Sequence, residues 1–143
     1  MNVRELLQSK KDSVVTIDVE DTVGAAAHKM SAHRIAALVV MKEGTPLRII
    51  SEKDIVRCLA DDGPQAGRRV ISSLPSAGLE GISPDATLKQ AMALMTYSRH
   101  RHLMVTEDNC LVGIISLGDI VKNLLSELEL EKAVLQDIYL AAH

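Results

Sequence analysis

Ser116 and Asp119 stand three residues apart where a short apolar run, Gly113-Ile114-Ile115, gives way to the helix-forming stretch that begins around Ile120 and Val121. A corner between a strand and a helix N-terminus presents free backbone N–H groups and the positive end of the helix dipole, so it can hold an anion. The same element occurs earlier as Arg48-Ile49-Ile50-Ser51-Glu52-Lys53-Asp54-Ile55-Val56. Two such corners facing a shared cleft read as a place for a nucleotide. The Ser-x-x-Asp spacing is equally that of a capping box, in which the two side chains satisfy the first N–H groups of the helix. On spacing alone both readings stand.

The elements that position these corners recur with them. Val14-Val15-Thr16-Ile17 is β-branched throughout and predicts a strand. Thr22 predicts the N-cap of a helix over Val23–His33, with Val23, Ala26, Ala27 and Met30 on one face. Ala36–Met41 and Leu47–Ile50 predict two further strands around a turn at Glu43-Gly44-Thr45-Pro46, and Ser51 opens a helix over Glu52–Ala60. The unit is β-α-β-β-α. Asp61-Asp62-Gly63-Pro64 breaks that helix, and a connector rich in Gly, Pro and Ser follows, pinned by Val70, Ile71 and Leu74. From Gly81 the pattern restarts: Ile82 matches Ile17, Thr87 matches Thr22, Ala91 matches Ala26, Met95 matches Met30 and Leu103 matches Leu38. Gln90 completes a capping box with Thr87.

This is an internal duplication, and one unit is too small to bury its own sheet faces. The expected fold is α/β (α+β): two pseudo-symmetric units packed sheet to sheet, with a cleft between them. The divisions are an N-terminal helix and turn over 1–13 (with Val3, Leu6 and Leu7 on one side), unit 1 over 14–60, a connector over 61–79, unit 2 over 80–125 and a helical extension over 126–143. No Gly or Pro interrupts 120–141, and Val121, Leu124, Leu128, Leu135 and Ile138 form a heptad-like stripe broken by Glu131. That stripe either packs back on its own domain or forms a dimer contact.

Bulk composition narrows the function classes. Of 143 residues, 47 % are hydrophobic but only 1 % aromatic, so the core is aliphatic and base stacking on aromatic rings is not available. The net charge of −3 argues against a general nucleic-acid binder. No apolar run is long enough to span a membrane, and the charged start predicts no signal peptide and a cytoplasmic protein. Cys58 and Cys110 lack any CxxC or ligand cluster and read as buried or half-buried thiols. No metal site is expected, and no nucleophile elbow or ordered Ser-His-Asp set supports a hydrolase.

The duplicated unit, with Ile35-Ala36-Ala37-Leu38-Val39-Val40, Ile50-Ser51-Glu52-Lys53-Asp54 and Gly113-Ile114-Ile115-Ser116-Leu117-Gly118-Asp119, resembles a tandem pair of cystathionine-β-synthase-type (CBS) domains over about residues 14 to 125. The resemblance implies regulatory binding of adenosine-containing ligands such as AMP, ADP, ATP, NAD(H) or S-adenosylmethionine. It also implies disc-like homodimers, no catalysis and no catalytic cofactor. The family's motif is a Gly, two apolar residues, Ser or Thr, two variable residues and Asp. The Asp typically takes the ribose hydroxyls, and the Ser or Thr supports ribose or phosphate. A carboxylate is a two-point acceptor suited to a vicinal diol.

Unit 2 matches the whole motif with Gly113, Ser116 and Asp119. Its basic run Arg99-His100-Arg101-His102 places Arg101 and His102, with Arg99 beside them, where family members often contact phosphate; by itself the run could equally be a solvated turn. Family geometry brings Val15, Thr16 and Ile17 to the adenine. Unit 1 keeps Ser51 and Asp54 but has Arg48 in place of the Gly, and it is expected to form a weaker or different site with Ala37, Gly81 and Ile82. The expected function is a non-catalytic sensor of energy or redox state that acts on an unknown protein in trans. The alternative is a ligand-free module docking a partner through its C-terminal helix.

Overall fold

The computed structural model describes residues 1–10, 13–75 and 81–142. Parts of the expected turn at 9–13 and of the connector at 61–79, and His143, lie outside the described residues.

The chain begins with helix α1 (Val3–Ser9), capped by the Asn2 side chain, which accepts from the Glu5 N–H at 2.9 Å. Unit 1 contains strand β1 (Thr16–Asp18), helix α2 (Val23–His33), strands β2 (Ala37–Lys42) and β3 (Thr45–Ser51), and helix α3 (Glu52–Asp62). Short 3-10 turns occupy Gly63–Arg68 and Ile71–Ser73. Unit 2 repeats the order as β4 (Gly81–Ile82), α4 (Leu88–Ser98), β5 (His102–Glu107), β6 (Cys110–Ser116) and α5 (Leu117–Ala142). Each unit forms a three-stranded sheet whose central strand pairs parallel with the first and antiparallel with the third. Both hairpins carry a register shift at the same place, Val40/Met41 and Val105/Thr106. Strand β3 packs against β5 and β6, which joins the two sheets.

Local chemistry explains the repeated corners. Thr22 and Thr87 cap their helices by accepting from Ala25 N–H at 3.1 Å and Gln90 N–H at 3.0 Å, and Gln90 closes the box by accepting from Thr87 N–H. Both hairpins turn on two residues of positive φ, Glu43-Gly44 and Asp108-Asn109, the geometry whose twist matches that of the flanking strands. The turn is therefore shorter than the sequence predicts. Thr45 already pairs with Lys42, and Pro46 lies on an outer strand, where its missing N–H costs little. Strand β1 starts at Thr16 rather than Val14, because its ladder with β2 begins at Thr16–Val39. Helix α3 continues past Ala60 to Asp62, ending where Gly63 takes φ 61°. Cys58 is buried as expected; Cys110 is exposed, at the hairpin end of the outer strand β6.

The division at residue 13 does not follow the packing. Helix α1 precedes unit 1 but completes unit 2: Val3 N–H donates to Ala86 O at 2.8 Å, and Val3 and Leu6 join Leu88, Ala91, Met95, Leu103, Val105, Ile115 and Ile120 in one core. The connector precedes unit 2 but completes unit 1 in the same way. Ile71 N–H donates to Asp21 O at 2.9 Å, and Ile71 joins Ile17, Ala26, Met30, Leu38, Val40 and Ile50. Each unit is thus closed by the segment that leads into the other. A third small cluster, Val23, Cys58 and Ala66, seats the first 3-10 turn. There the Gly67 carbonyl oxygen lies 2.9 Å from where a Cβ on Gly24 would stand, an approach that only glycine permits without moving backbone.

Helix α5 is a single element of 26 residues. It is anchored by buried Ile120 and by Leu117 and Leu124 packed on the second core, and every residue from Leu125 to Ala142 is exposed. The heptad stripe therefore packs on its own domain at Leu124 and is exposed beyond it.

Candidate functional site

The two repeated corners share one backbone design. Leu117 N–H donates to Arg101 O at 2.8 Å, and Glu52 N–H donates to Ala36 O at 3.0 Å, so each central strand is tied to the start of the helix that follows. At the second corner Ser116 N–H donates to Asp119 Oδ2 at 2.8 Å, and Asp119 N–H donates to Ser116 Oγ at 3.1 Å. At the first, Ser51 N–H donates to Asp54 Oδ2 at 2.8 Å, and the Ser51 hydroxyl lies 3.2 Å from the same oxygen. The capping reading of Ser-x-x-Asp is realised at both. It leaves carboxylate lone pairs available, because a carboxylate can accept about four hydrogen bonds.

The corners differ in what meets those carboxylates. Arg48, buried at 5 % exposure, fills the first. One of its terminal nitrogens donates to Pro75 O at 2.7 Å, and the other lies 3.6 Å from Asp54 Oδ1. A small pocket of about 40 Å³ lies beside Asp54, between α3 and Leu74-Pro75. The second corner has Gly113 in place of the arginine, and Leu7 of α1 lies over it. A Cβ on Gly113 would stand 2.7 Å from Leu7 Cδ2. Beyond Leu7 the corner opens into a cleft of about 250 Å³.

Both units contribute walls to that cleft. His102, Gly113, Ser116 and Asp119 come from the second, and Val14, Val15, Ile35, Ala36 and Ala37 from the first. Leu7 and Lys10 enter from the N-terminal segment. The apolar wall is aliphatic and the polar groups converge at one end, an arrangement suited to a small ligand with an apolar part and a charged or hydroxylated part.

The charges in the cleft are coupled. Lys10 Nζ donates to Asp119 Oδ2 and to Ile114 O, both at 2.8 Å. Burial works against ionisation of Asp119. The Lys10 ammonium and the Ser116 N–H and hydroxyl outweigh it, so the carboxyl is held below its ordinary value. His102 is held below its ordinary value chiefly by burial, with Asp119 opposing and Lys10 and Arg101 adding to the effect. The cleft therefore presents an ionised Asp119 beside the Lys10 ammonium, and an imidazole that resists protonation.

Of the residues singled out from sequence, Asp119, Ser116, Gly113, His102 and Val15 line this one cleft. Ala37, assigned to the other site, lines it as well, because the central strand of unit 1 faces the second corner. Ile17 is 2 % exposed and belongs to the first core rather than to a ligand wall. Thr16 is held in β1, and its carbonyl accepts from Lys29 Nζ at 2.8 Å. Arg99 ends α4 with φ 60°, as Arg34 ends α2 with φ 55°, and Arg101 is exposed at the foot of β5. Gly81 pairs with Met104, and Ile82 packs against the second core. Leu7 and Lys10 were missed, since nothing in their neighbourhood marks them; only the exchange of leading segments brings them here.

The family model described as CBS domain matches residues 3–61 and 71–126. Protein YhcV of Bacillus subtilis, a CBS domain-containing protein, is 30 % identical over 124 residues, covering 84 % of this chain and 88 % of its own length. The mitochondrial CBS domain-containing protein CBSX3 of Arabidopsis thaliana is 32 % identical over 113 residues, covering 76 % of this chain; the match spans 55 % of the Arabidopsis protein. Among solved structures, a CBS-domain containing protein from Agrobacterium tumefaciens superposes with a TM-score of 0.80 at 35 % identity, covering 86 % of this chain and 98 % of that one.

Proposed function

This chain belongs to the CBS domain family, and from that premise we propose that it binds an adenosine nucleotide (AMP, ADP, ATP or NAD(H)) in the cleft at Asp119, as a sensor that performs no chemistry on its ligand. CBS domain pairs are regulatory modules that commonly bind adenosine ligands. The observation carrying the reading for this chain is the difference between its two corners. Asp119 faces a cleft walled by both units, whereas Asp54 faces a buried arginine. In this reading Asp119 takes the ribose diol, Ser116 and the start of α5 support the ribose or phosphate, and the base lies against Val15 and Ala37.

A ligand spanning two units changes their packing only if it binds one arrangement better than another. The walls of the cleft belong to different sheets, so a ligand there touches both units. In this reading the regulatory output follows from how strongly a nucleotide prefers one arrangement of the two sheets over another. Calorimetry with AMP, ATP and NAD(H) on the wild-type protein and on Asp119→Ala tests this: saturable binding of at least one nucleotide, weakened at least tenfold in the variant, is the expected result. No binding at millimolar concentration overturns it.

A second reading is favoured by α5, whose residues from Leu125 to Ala142 are all exposed, Leu128, Leu135 and Ile138 of the stripe among them. We infer that this helix pairs with a second copy of the chain. A module that docks another protein through α5 and binds no nucleotide is the competing account, and an Asp119→Ala variant with unchanged nucleotide affinity would favour it.

A further inference from the structure

Lys10 stands at the carboxylate that the nucleotide reading gives to the ribose. It is no ordinary surface lysine: its side chain is 21 % exposed, and its ammonium donates at 2.8 Å both to Asp119 Oδ2 and to Ile114 O. Its backbone N–H closes α1 by donating to Leu7 O at 3.1 Å. Helix α1 is itself fixed by Val3 and Leu6 in the second core and by Arg4, which bridges Asp85 and Glu107 at 3.1 and 2.8 Å. The ammonium is therefore delivered to the cleft by a docked element.

We propose that Lys10 selects phosphorylated ligands over neutral ones: its ammonium, paired with Asp119, transfers to the phosphate of the nucleotide that displaces it. This inference rests on the nucleotide reading above. A vicinal diol that takes Asp119 removes the partner of a partly buried ammonium, and a charged donor left without its acceptor carries a desolvation penalty. A neutral nucleoside bears that penalty, with only the bond to Ile114 O left to the ammonium. A nucleoside phosphate supplies a new anion within the same cleft and avoids it. Lys10 also shields an incoming phosphate from the negative charge of Asp119, a repulsion that the neutral His102 does not offset. Unit 1 shows the contrast: the cation at Asp54 is Arg48, buried and bonded to Pro75 O.

The test compares AMP with adenosine, by calorimetry on the full chain, for wild type, Lys10→Met and Lys10→Arg. The wild type is expected to prefer AMP at least thirtyfold. In Lys10→Met that preference should fall about tenfold or more, through weaker AMP binding and unchanged or tighter adenosine binding, since hydrogen bonds to charged groups are typically of that strength. Lys10→Arg should restore most of the preference. Equal binding of AMP and adenosine by the wild type, or a preference unchanged in a folded Lys10→Met, overturns the role of Lys10 and leaves the nucleotide reading intact. Binding of neither ligand by folded wild type overturns both. If Lys10→Met does not fold, the Lys10 side-chain resonances of the wild type decide: they must shift differently with AMP and with adenosine, and identical responses overturn the proposal.

Discussion

The Arg48 guanidinium lies 3.6 Å from the Asp54 carboxylate, inside a corner whose counterpart in the second unit holds a glycine. The two positions are equivalent in the repeat, and each is met by the leading segment that crosses over to close its unit. Pro75 O reaches Arg48, and the Leu7 side chain covers Gly113. One corner is sealed by a long side chain folded into it. The other is sealed by a side chain from outside, which leaves room for a cleft alongside.

Replacing Arg48 tests the sealed corner. Arg48→Met keeps most of the apolar stem but removes the bond to Pro75 O and the cation beside Asp54. A half-buried carboxylate and a carbonyl are left to find other partners, so the variant should lose about 2–4 kcal/mol of stability. Urea denaturation measures this, and nucleotide affinity at Asp119 should not change. A loss below about 0.5 kcal/mol would show that Arg48 contributes no more than a surface ion pair.

The role of Gly113 can be separated from ligand binding. A Cβ there would meet Leu7 at 2.7 Å, so Gly113→Ala should be destabilising by about 1 kcal/mol through displacement of that side chain. In a Leu7→Ala background the clash is gone, and the alanine should then be neutral. The coupling in this double-mutant cycle is the decisive quantity. Additive effects would mean that the glycine is needed for another reason, such as close approach of a ligand to the backbone.

These residues also show how far sequence reaches. The duplication, the helix caps and the Ser-x-x-Asp corners were legible because each is written in adjacent residues with a fixed spacing. Arg48 was legible as a departure from the repeat. The partnership of Lys10 with Asp119 was not, because it depends on α1 crossing to the unit it does not precede, and Val3, Leu6 and Leu7 look like any short amphipathic helix. Parity along a strand likewise does not say which sheet face meets the neighbouring unit, so Ile17 was read as a ligand wall although it lies in the first core, and the share Ala37 takes in the Asp119 cleft was not read. Thr45 and Pro46 were read as turn because both are weak strand signals, yet an outer strand tolerates them.

His102 gives a pH signature whose sign follows from its burial. Its folded-state value is lowered from 6.5, so between that lowered value and about 6.5 the unfolded chain holds a proton that the folded protein does not. Stability should therefore fall as pH drops through that window and be fully present above it. Lys10, Asp119, Glu52 and Arg101 all act on the imidazole, so the comparison is with a variant in which they remain. His102→Gln should show a shallower loss of urea midpoint between pH 7.5 and 5.5 than the wild type. A wild-type slope no steeper than that of the variant would place His102 in a more solvated setting than the cleft provides.

The exposed stripe of α5 is expected to pair with a second copy in antiparallel fashion. Beyond Leu124 its seam runs through Leu128, Glu131, Leu135 and Ile138, and Leu128, Leu135 and Ile138 are each 60 % exposed. Parallel pairing in register would set Glu131 against the same residue of the second copy, two like charges in an apolar seam. Antiparallel pairing about a point between residues 131 and 132 sets Glu131 beside the other copy's Lys132 and Leu128 beside its Leu135, so charge and apolar pattern agree. Sizing chromatography with light scattering should find a dimer for the full chain and a monomer after removal of residues 127–143. Glu131→Lys should weaken the dimer several-fold, and adding Lys132→Glu should restore it. A dimer that survives the truncation would move the contact to the paired domains. Rescue absent from the double charge swap would argue against the antiparallel register while leaving the helix as the contact.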